Sequence, residues 1–285
     1  MIFQDFCCCH RASVCTTNNN DFHAYKPSFR EQISEYRQNL SESVKKYFIN
    51  DIIRFENKFK GGNIVYRYFI QPQLNKFTNS LVGYEMLIRK YDDERWRLPQ
   101  NFAAIPVDEQ ISLLKKTAHR IGLKVDSISF NLNRRQFIDP HMEEALIDVQ
   151  HEIFPVKLII EVTEEESDRL VSEEKLLASC RRYADNGVQI SLDDVGSGRN
   201  TYENIKPLLK YADEIKFAMQ NFRNENKECK IVEQLQFWKK IANQYHIRLV
   251  VEGTESAEED QLLDDLDLPY RQGYFYGKPH LVKLE

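Results

Sequence analysis

The feature that most constrains this chain is the regular alternation, beyond Gly61-Gly62, of short β-rich runs with longer amphipathic segments. The runs fall at residues 64–74, 81–89, 127–132, 156–162, 188–193, 214–217, 247–252 and 270–274, which makes eight candidate strands. Segments with helical period separate most of them, at 108–121, 135–149, 167–186 and 230–245. Strands that alternate with helices in this way read as a parallel sheet with helical crossovers. A chain of 285 residues, 42% of them hydrophobic, suffices for one barrel of about 250 residues and a short extension. The expected fold class is therefore α/β, a TIM-like (β/α)8 barrel, with a doubly wound open sheet as the alternative.

Three regions are expected. Residues 1–27 are polar and read as a disordered, reduced, cysteine-containing tail. Residues 28–61 read as an amphipathic helical extension, because Ile33, Tyr36, Leu40, Val44, Tyr47, Phe48, Ile52 and Phe55 recur at three- and four-residue steps. That pattern lacks sustained heptads, so a helix packed on the barrel is favoured over a coiled coil. The barrel domain is expected over 62–285. Cys7, Cys8, Cys9 and Cys15, with His10 and His23 nearby, lack the two-residue spacer by which paired thiolates grip zinc. No apolar run approaches the roughly 20 residues of a membrane helix, and no basic start leads into an apolar stretch. A cytoplasmic protein with no membrane partner is the expectation. A net charge of -5 provides no broad positive field for a nucleic-acid polymer, so any phosphate ligand must be met locally.

Barrel enzymes assemble their sites from the C-terminal ends of strands. Here those ends or their final turns hold Glu85, Asn131, Glu161, Asp193 with Asp194, Lys216, Glu252 and Gln272. Each acid alone is most often a helix N-cap or a solvated loop residue. Five acids on one barrel mouth with a single lysine require cations, since buried unpaired carboxylates are strongly unfavourable. Oxygen donors without His or Cys suit Mg2+ or Mn2+, and such a set has room for two ions. The segment following Asp194, Val195-Gly196-Ser197-Gly198, is a weak phosphate-loop signal because no Lys follows. It also fails as a calcium loop, because Val195 occupies a position that requires an oxygen ligand.

Residues 64–280 resemble an EAL domain, the cyclic di-GMP phosphodiesterase family. The resemblance rests on Gln71-Pro72, on Glu85-Met86-Leu87 with Arg89, and on Phe130-Asn131-Leu132 with Arg135-Gln136. It continues through Glu161-Val162-Thr163-Glu164, Asp193-Asp194-Val195-Gly196-Ser197-Gly198, Glu252-Gly253, and Gln272-Gly273-Tyr274 with Lys278-Pro279. The resemblance implies that Glu85, Asn131, Glu161 and Asp193 hold one metal, while Asp193 and Asp194 help hold a second. It implies that Lys216 orients or polarises the attacking water and that Glu252 accepts its proton or joins the second metal. Arg89, Gln71 and Gln272 would bind substrate, and Glu164 would brace the 194–198 loop. The implied reaction is hydrolysis of cyclic di-GMP to linear pGpG. A first strand antiparallel to the others and a homodimer are also implied.

Three departures accompany the resemblance. Ala218 stands where the family has Asp, two residues after the lysine. Val195 replaces Phe and Arg199-Asn200-Thr201 replaces a Tyr-Ser-Ser run, and the stretch 99–112 looks shortened. A non-catalytic cyclic di-GMP receptor or protein-binding relative is the second reading. A glycosidase using Glu161 and Glu252 as paired carboxylates is the third, and it leaves Glu85, Asn131, Asp193, Asp194 and Lys216 without a role.

Overall fold

Strand β1 (Val65–Asn75) turns back on β2 (Ser80–Asp92) through a tight hairpin. The Asn75 side chain accepts from the backbone amides of Phe77 and Thr78 at 3.1 and 3.2 Å, and Asn79 adopts a left-handed φ of 50°, conformations that Asn accommodates readily. The computed structural model describes residues 65–122, 125–163, 171–198 and 200–282. The tail, the 28–61 extension, Glu164 and Arg199 lie outside the described residues.

The remaining strands are β3 (Arg95–Arg97), β4 (Ser127–Asn133), β5 (Lys157–Thr163), β6 (Gln189–Leu192), β7 (Glu214–Ala218), β8 (Arg248–Glu252), β9 (Tyr270–Arg271) and β10 (His280–Leu281). The order β1-β2-β4-β5-β6-β7-β8-β9 returns to β1 and closes an eight-stranded barrel. From β2 to β9 every neighbour is parallel, whereas β1 runs antiparallel to both β2 and β9. Helices α1 (Val107–Ile121), α2 (Arg134–Phe137), α3 (Pro140–Ile153), α4 (Glu173–Asp185), α5 (Tyr202–Ile205), α6 (Met219–Asn224), α7 (Ile231–Tyr245) and α8 (Ala257–Asp265) occupy the connections.

The eight expected strands are present, joined by two short unexpected ones, β3 and β10, and there are three further differences. The helix expected over 135–149 is two: Asn133 and Gln136 cap α2 reciprocally, and Asp139 caps α3 with Pro140 at its first position. Helices α5, α6 and α8 were not expected, being short or rich in charge. The last strand stops at Arg271 because the chain then folds against Thr254, where Phe275 donates to the Thr254 carbonyl at 3.1 Å.

Alternation along the strands separates two environments. Ile128, Phe130, Leu132, Leu158, Ile160, Val162, Ile190, Leu192, Ile215, Phe217, Leu249 and Val251 belong to the hydrophobic core beneath the helices. Residues in alternation with them face inward, and they include Ser129, Asn131, Glu161, Ser191, Glu214, Lys216 and Glu252. Barrel interiors are ordinarily filled by branched apolar residues, so this interior is organised around polar chemistry. Its floor is a satisfied carboxylate, Glu214, which accepts from Arg248 Nε at 2.7 Å and from Ser191 Oγ at 3.1 Å.

Candidate active site

Lys216 is the centre of the barrel mouth. Two apolar neighbours, Ile215 and Phe217, anchor β7 in the core and aim the lysine inward. Its side chain is 1% exposed, and its ammonium lies 2.8 Å from Glu161, 2.5 Å from Glu252 and 3.6 Å from Glu85. Burial alone would push the lysine pKa down. The carboxylates of Glu161, Glu252, Glu85 and Asp193 overcome that and hold it well above the ordinary value.

Glu85, on β2, is held from both sides. Asn131 Nδ2 donates to Oε1 at 2.8 Å and Gln272 Nε2 donates to Oε2. With its nitrogen engaged, Asn131 has its amide oxygen left to offer a cation. Gln272 also donates to Gln71 at 3.2 Å, so the sequence-predicted ligands from β1, β2, β4 and the turn after β9 form one contiguous wall. Burial raises Glu85, but Lys216, Asn131 and Gln272 together bring it below the usual carboxylate range.

The other acids shift the opposite way. Burial and the charge of Glu85 hold Glu161 well above its ordinary value despite the contact with Lys216, because Lys216 is shared among several acids. Burial, Asp194 and Glu252 do the same to Asp193. Asp194 is raised by burial against an opposing hydrogen bond from Asn221, and burial pushes Glu252 up to about 7. Five carboxylates thus surround one ammonium. Oxygen atoms of Asp193, Asp194 and Glu252 lie within 4.8 Å of one another, a hard-donor set that fits Mg2+ or Mn2+.

The loop after β6 fixes the two aspartates. Asp194 takes a left-handed φ of 50°, its amide donates to Asp193 Oδ1 at 3.0 Å, and Asn221 Nδ2 donates to Asp194 Oδ1 at 2.7 Å. Asn200 Nδ2 donates to the Asp193 carbonyl at 2.6 Å. Gly196 has φ of 84°, and a Cβ there would lie 2.7 Å from the Trp238 indole nitrogen, so the turn requires glycine twice over. Val195, at the position of the family's Phe, is fully buried, and its amide donates to the Lys216 carbonyl at 3.0 Å.

Beside the acids opens a cavity of about 310 Å3, bordered by Gln71, Glu85, Leu87, Gln220, Glu252 and Tyr274 among others. Arg89 follows Leu87 by two residues on the same face of β2 and is half-buried. Burial lowers its pKa against the opposing influence of Tyr274 and Glu85.

Every described candidate site residue is therefore in or beside this mouth. Sequence reasoning passed over Gln73, whose amide reaches Glu161 Oε1 at 3.5 Å, and Asn221, which holds Asp194. Gln73 was legible, since it lies two residues from Gln71 on the same strand face. Asn221 was not, because its reach depends on the placement of α6 relative to the β6 loop.

A profile of the EAL domain matches residues 54–279. "Cyclic di-GMP phosphodiesterase PdeR" of Escherichia coli is 24% identical over 274 residues, covering 90% of this chain and 38% of the relative. The chain spans about a third of the length of this and similar curated relatives. Among solved structures, the YkuI protein of Bacillus subtilis, with an EAL domain and in complex with substrate c-di-GMP and calcium, aligns with TM-score 0.63 at 21% identity, covering 77% of this chain and 57% of that one. The manganese and cyclic di-GMP complex of BlrP1 of Klebsiella pneumoniae aligns with TM-score 0.61 at 20% identity, over 76% and 56% of the two chains. Likenesses of this degree concern the fold. No helix among the described residues is long and apolar enough to cross a membrane.

Proposed function

Because the chain belongs to the EAL domain family, we propose that it hydrolyses cyclic di-GMP to linear pGpG with two divalent cations, Mg2+ or Mn2+, at the mouth of the barrel. The observation that carries this reading is the charge imbalance of the cluster. Glu85, Glu161, Asp193, Asp194 and Glu252 against Lys216 leave four negative charges in excess when ionised, the amount that two divalent ions neutralise.

Glu85, Asn131, Glu161 and Asp193 would hold one ion, and Asp193 and Asp194 the other. Bound there, the ions would neutralise the phosphodiester and acidify a water. Lys216, held between Glu161 and Glu252, would orient or polarise that water. Glu252, 2.5 Å from the Lys216 ammonium and grouped with Asp193 and Asp194, would accept the water's proton or join the second metal. Gln71 and Gln272 bind the substrate beside Glu85, and Arg89 clasps a phosphate. By the resemblance to the family, Glu164 would brace the 194–198 loop, and a homodimer would form around that loop.

Binding and chemistry separate in two variants. Arg89→Ala is expected to weaken cyclic di-GMP affinity about tenfold or more, the loss of a charge-assisted hydrogen bond. Glu252→Gln is expected to leave affinity within about twofold and to lower kcat a hundredfold or so, because the amide cannot take a proton. Calorimetry and steady-state kinetics on both proteins decide, and an identical defect in the two would overturn the assigned roles.

Ala218 favours a second reading, a receptor that binds cyclic di-GMP without turnover. Ala218 is the last residue of β7, buried, paired with Glu252 and on the same face as Lys216. It is also the N-cap of α6 with no side-chain cap. Ala218→Asp is expected to lower the Mg2+ or Mn2+ concentration for half-maximal activity by about threefold to tenfold, since added carboxylate charge tightens hard cations. A metal titration tests this. If the midpoint stays fixed while the melting temperature rises, the new carboxylate is capping α6 and position 218 lies outside the metal site.

A further inference from the structure

We propose that Arg271, Asp260 and Tyr276 form a clamp across the β9–β1 seam that positions the 272–274 wall of the cavity and thereby sets how tightly the nucleotide is held. The proposal rests on the reading of that cavity as the cyclic di-GMP site.

The seam is thinly closed by backbone, as are the β6–β7 and β8–β9 junctions. β1 pairs with β2 along its whole length, but with β9 only at Leu74↔Arg271 and Asn75↔Tyr270. β10 resumes the pairing at Phe69 and Ile70. Between these points the turn after β9 stands in for a strand. Gln71 Nε2 donates to the Gly277 carbonyl at 3.1 Å, and Gly277 lies so close to Pro72 that a Cβ would meet it at 2.8 Å.

The clamp fastens this turn from outside. Arg271 is fully buried, yet each guanidinium nitrogen has an acceptor. Nε donates to the Leu268 carbonyl at 2.7 Å, Nη1 to Asp260 Oδ1 at 2.6 Å and Nη2 to Asp264 at 2.6 Å. Asp260 in turn receives Lys76 Nζ at 2.6 Å and the Tyr276 hydroxyl, so one carboxylate joins the β1–β2 turn, β9 and the turn beyond it. A buried ion pair with an acceptor at each guanidinium nitrogen fixes geometry even where its net contribution to stability is small.

What extends the clamp beyond architecture is its connection to the cavity. Arg271 points outward, so Gln272 points inward, where it holds Glu85 and Gln71. Tyr276 donates from its backbone to the Gly273 carbonyl at 3.1 Å, and Gly273 and Tyr274 line the cavity. The turn is therefore one short hydrogen-bonded piece, fixed at one end by the acids and at the other by the Tyr276 hydroxyl on Asp260.

The test is a titration with cyclic di-GMP in the presence of Ca2+, alongside kcat and melting temperature. Tyr276→Phe, which removes only the hydroxyl, is expected to raise Kd about fivefold to tenfold and to leave kcat at saturation within about twofold. Asp260→Asn is expected to do the same. Tyr183→Phe is the control: its hydroxyl is buried and donates to the Phe137 carbonyl at 3.3 Å, remote from the seam in sequence and in partners, so it should lower the melting temperature without moving Kd. Unchanged Kd in both clamp variants, whatever their melting temperatures, would show that the clamp supports the fold alone. Failure of the wild-type protein to bind cyclic di-GMP would remove the reading of the cavity, and the clamp's role with it.

Discussion

Replacing Glu85 by alanine is expected to lower kcat for cyclic di-GMP about a thousandfold or more, since losing a charged ligand forfeits several kcal/mol of metal-derived stabilisation. Glu85 is the acid on which Asn131, Gln272 and Lys216 converge, and those contacts keep it below the ordinary carboxylate range, hence anionic at neutral pH. An anion already bearing two amide donors is oriented before any cation arrives. The fold should survive, because removing one acid relieves repulsion among Glu161, Asp193 and Glu252. Loss of turnover with an unchanged or raised melting temperature is the expected pairing. Activity above about a tenth of wild type would show that Glu85 holds no catalytic metal.

Lys216→Met is expected to produce the largest stability effect, and one that depends on pH. Removing one partner of a buried ion pair costs about 3–5 kcal/mol when the remaining charges stay ionised. Glu161, Asp193, Asp194 and Glu252 are all raised above their ordinary values, so the folded protein binds more protons than the unfolded chain. Groups raised in this way contribute stability that is complete below the ordinary carboxylate range and is lost as pH rises through the folded value, about 7 for Glu252. The raised Lys216 contributes with the same sign at higher pH: its stability is complete below the ordinary lysine value, throughout neutral pH, and is lost only as pH rises through its raised folded value. Urea unfolding without divalent ions should therefore show a small difference between variant and wild type near pH 5 and the full difference near pH 8. Added Mg2+ should recover much of it. Equal destabilisation at both pH values would mean that the acids are not ionised against Lys216.

Much of the barrel could be read directly because its parallel strands are buried on both faces and their ends carry residues that a core excludes. Glu161 in Leu-Ile-Ile-Glu-Val and Lys216 in Glu-Ile-Lys-Phe stand out against apolar neighbours that fix which way they point. The convergence of Glu85, Glu161, Glu252 and Lys216 was legible for the same reason. Helix α8 escaped notice because Ala257, Leu262 and Leu263 are its only apolar residues, the remainder being Glu, Asp and Gln. Asn221, Asn200 and the Arg271 clamp escaped because each acts between segments far apart in the chain, Asn221 across the β6 and β7 loops and Asp260 across β1, α8 and β9. Strand direction and inward alternation are local properties, whereas loop-to-loop contacts depend on the closed barrel.

The most direct test is incubation of the purified protein with cyclic di-GMP and Mg2+ or Mn2+, with and without chelator, followed by chromatographic separation of the nucleotides. The proposed function requires linear pGpG to accumulate with either metal and to be absent with chelator. Cyclic di-GMP that is bound but remains intact at saturating metal, or hydrolysis that continues in chelator, would contradict it.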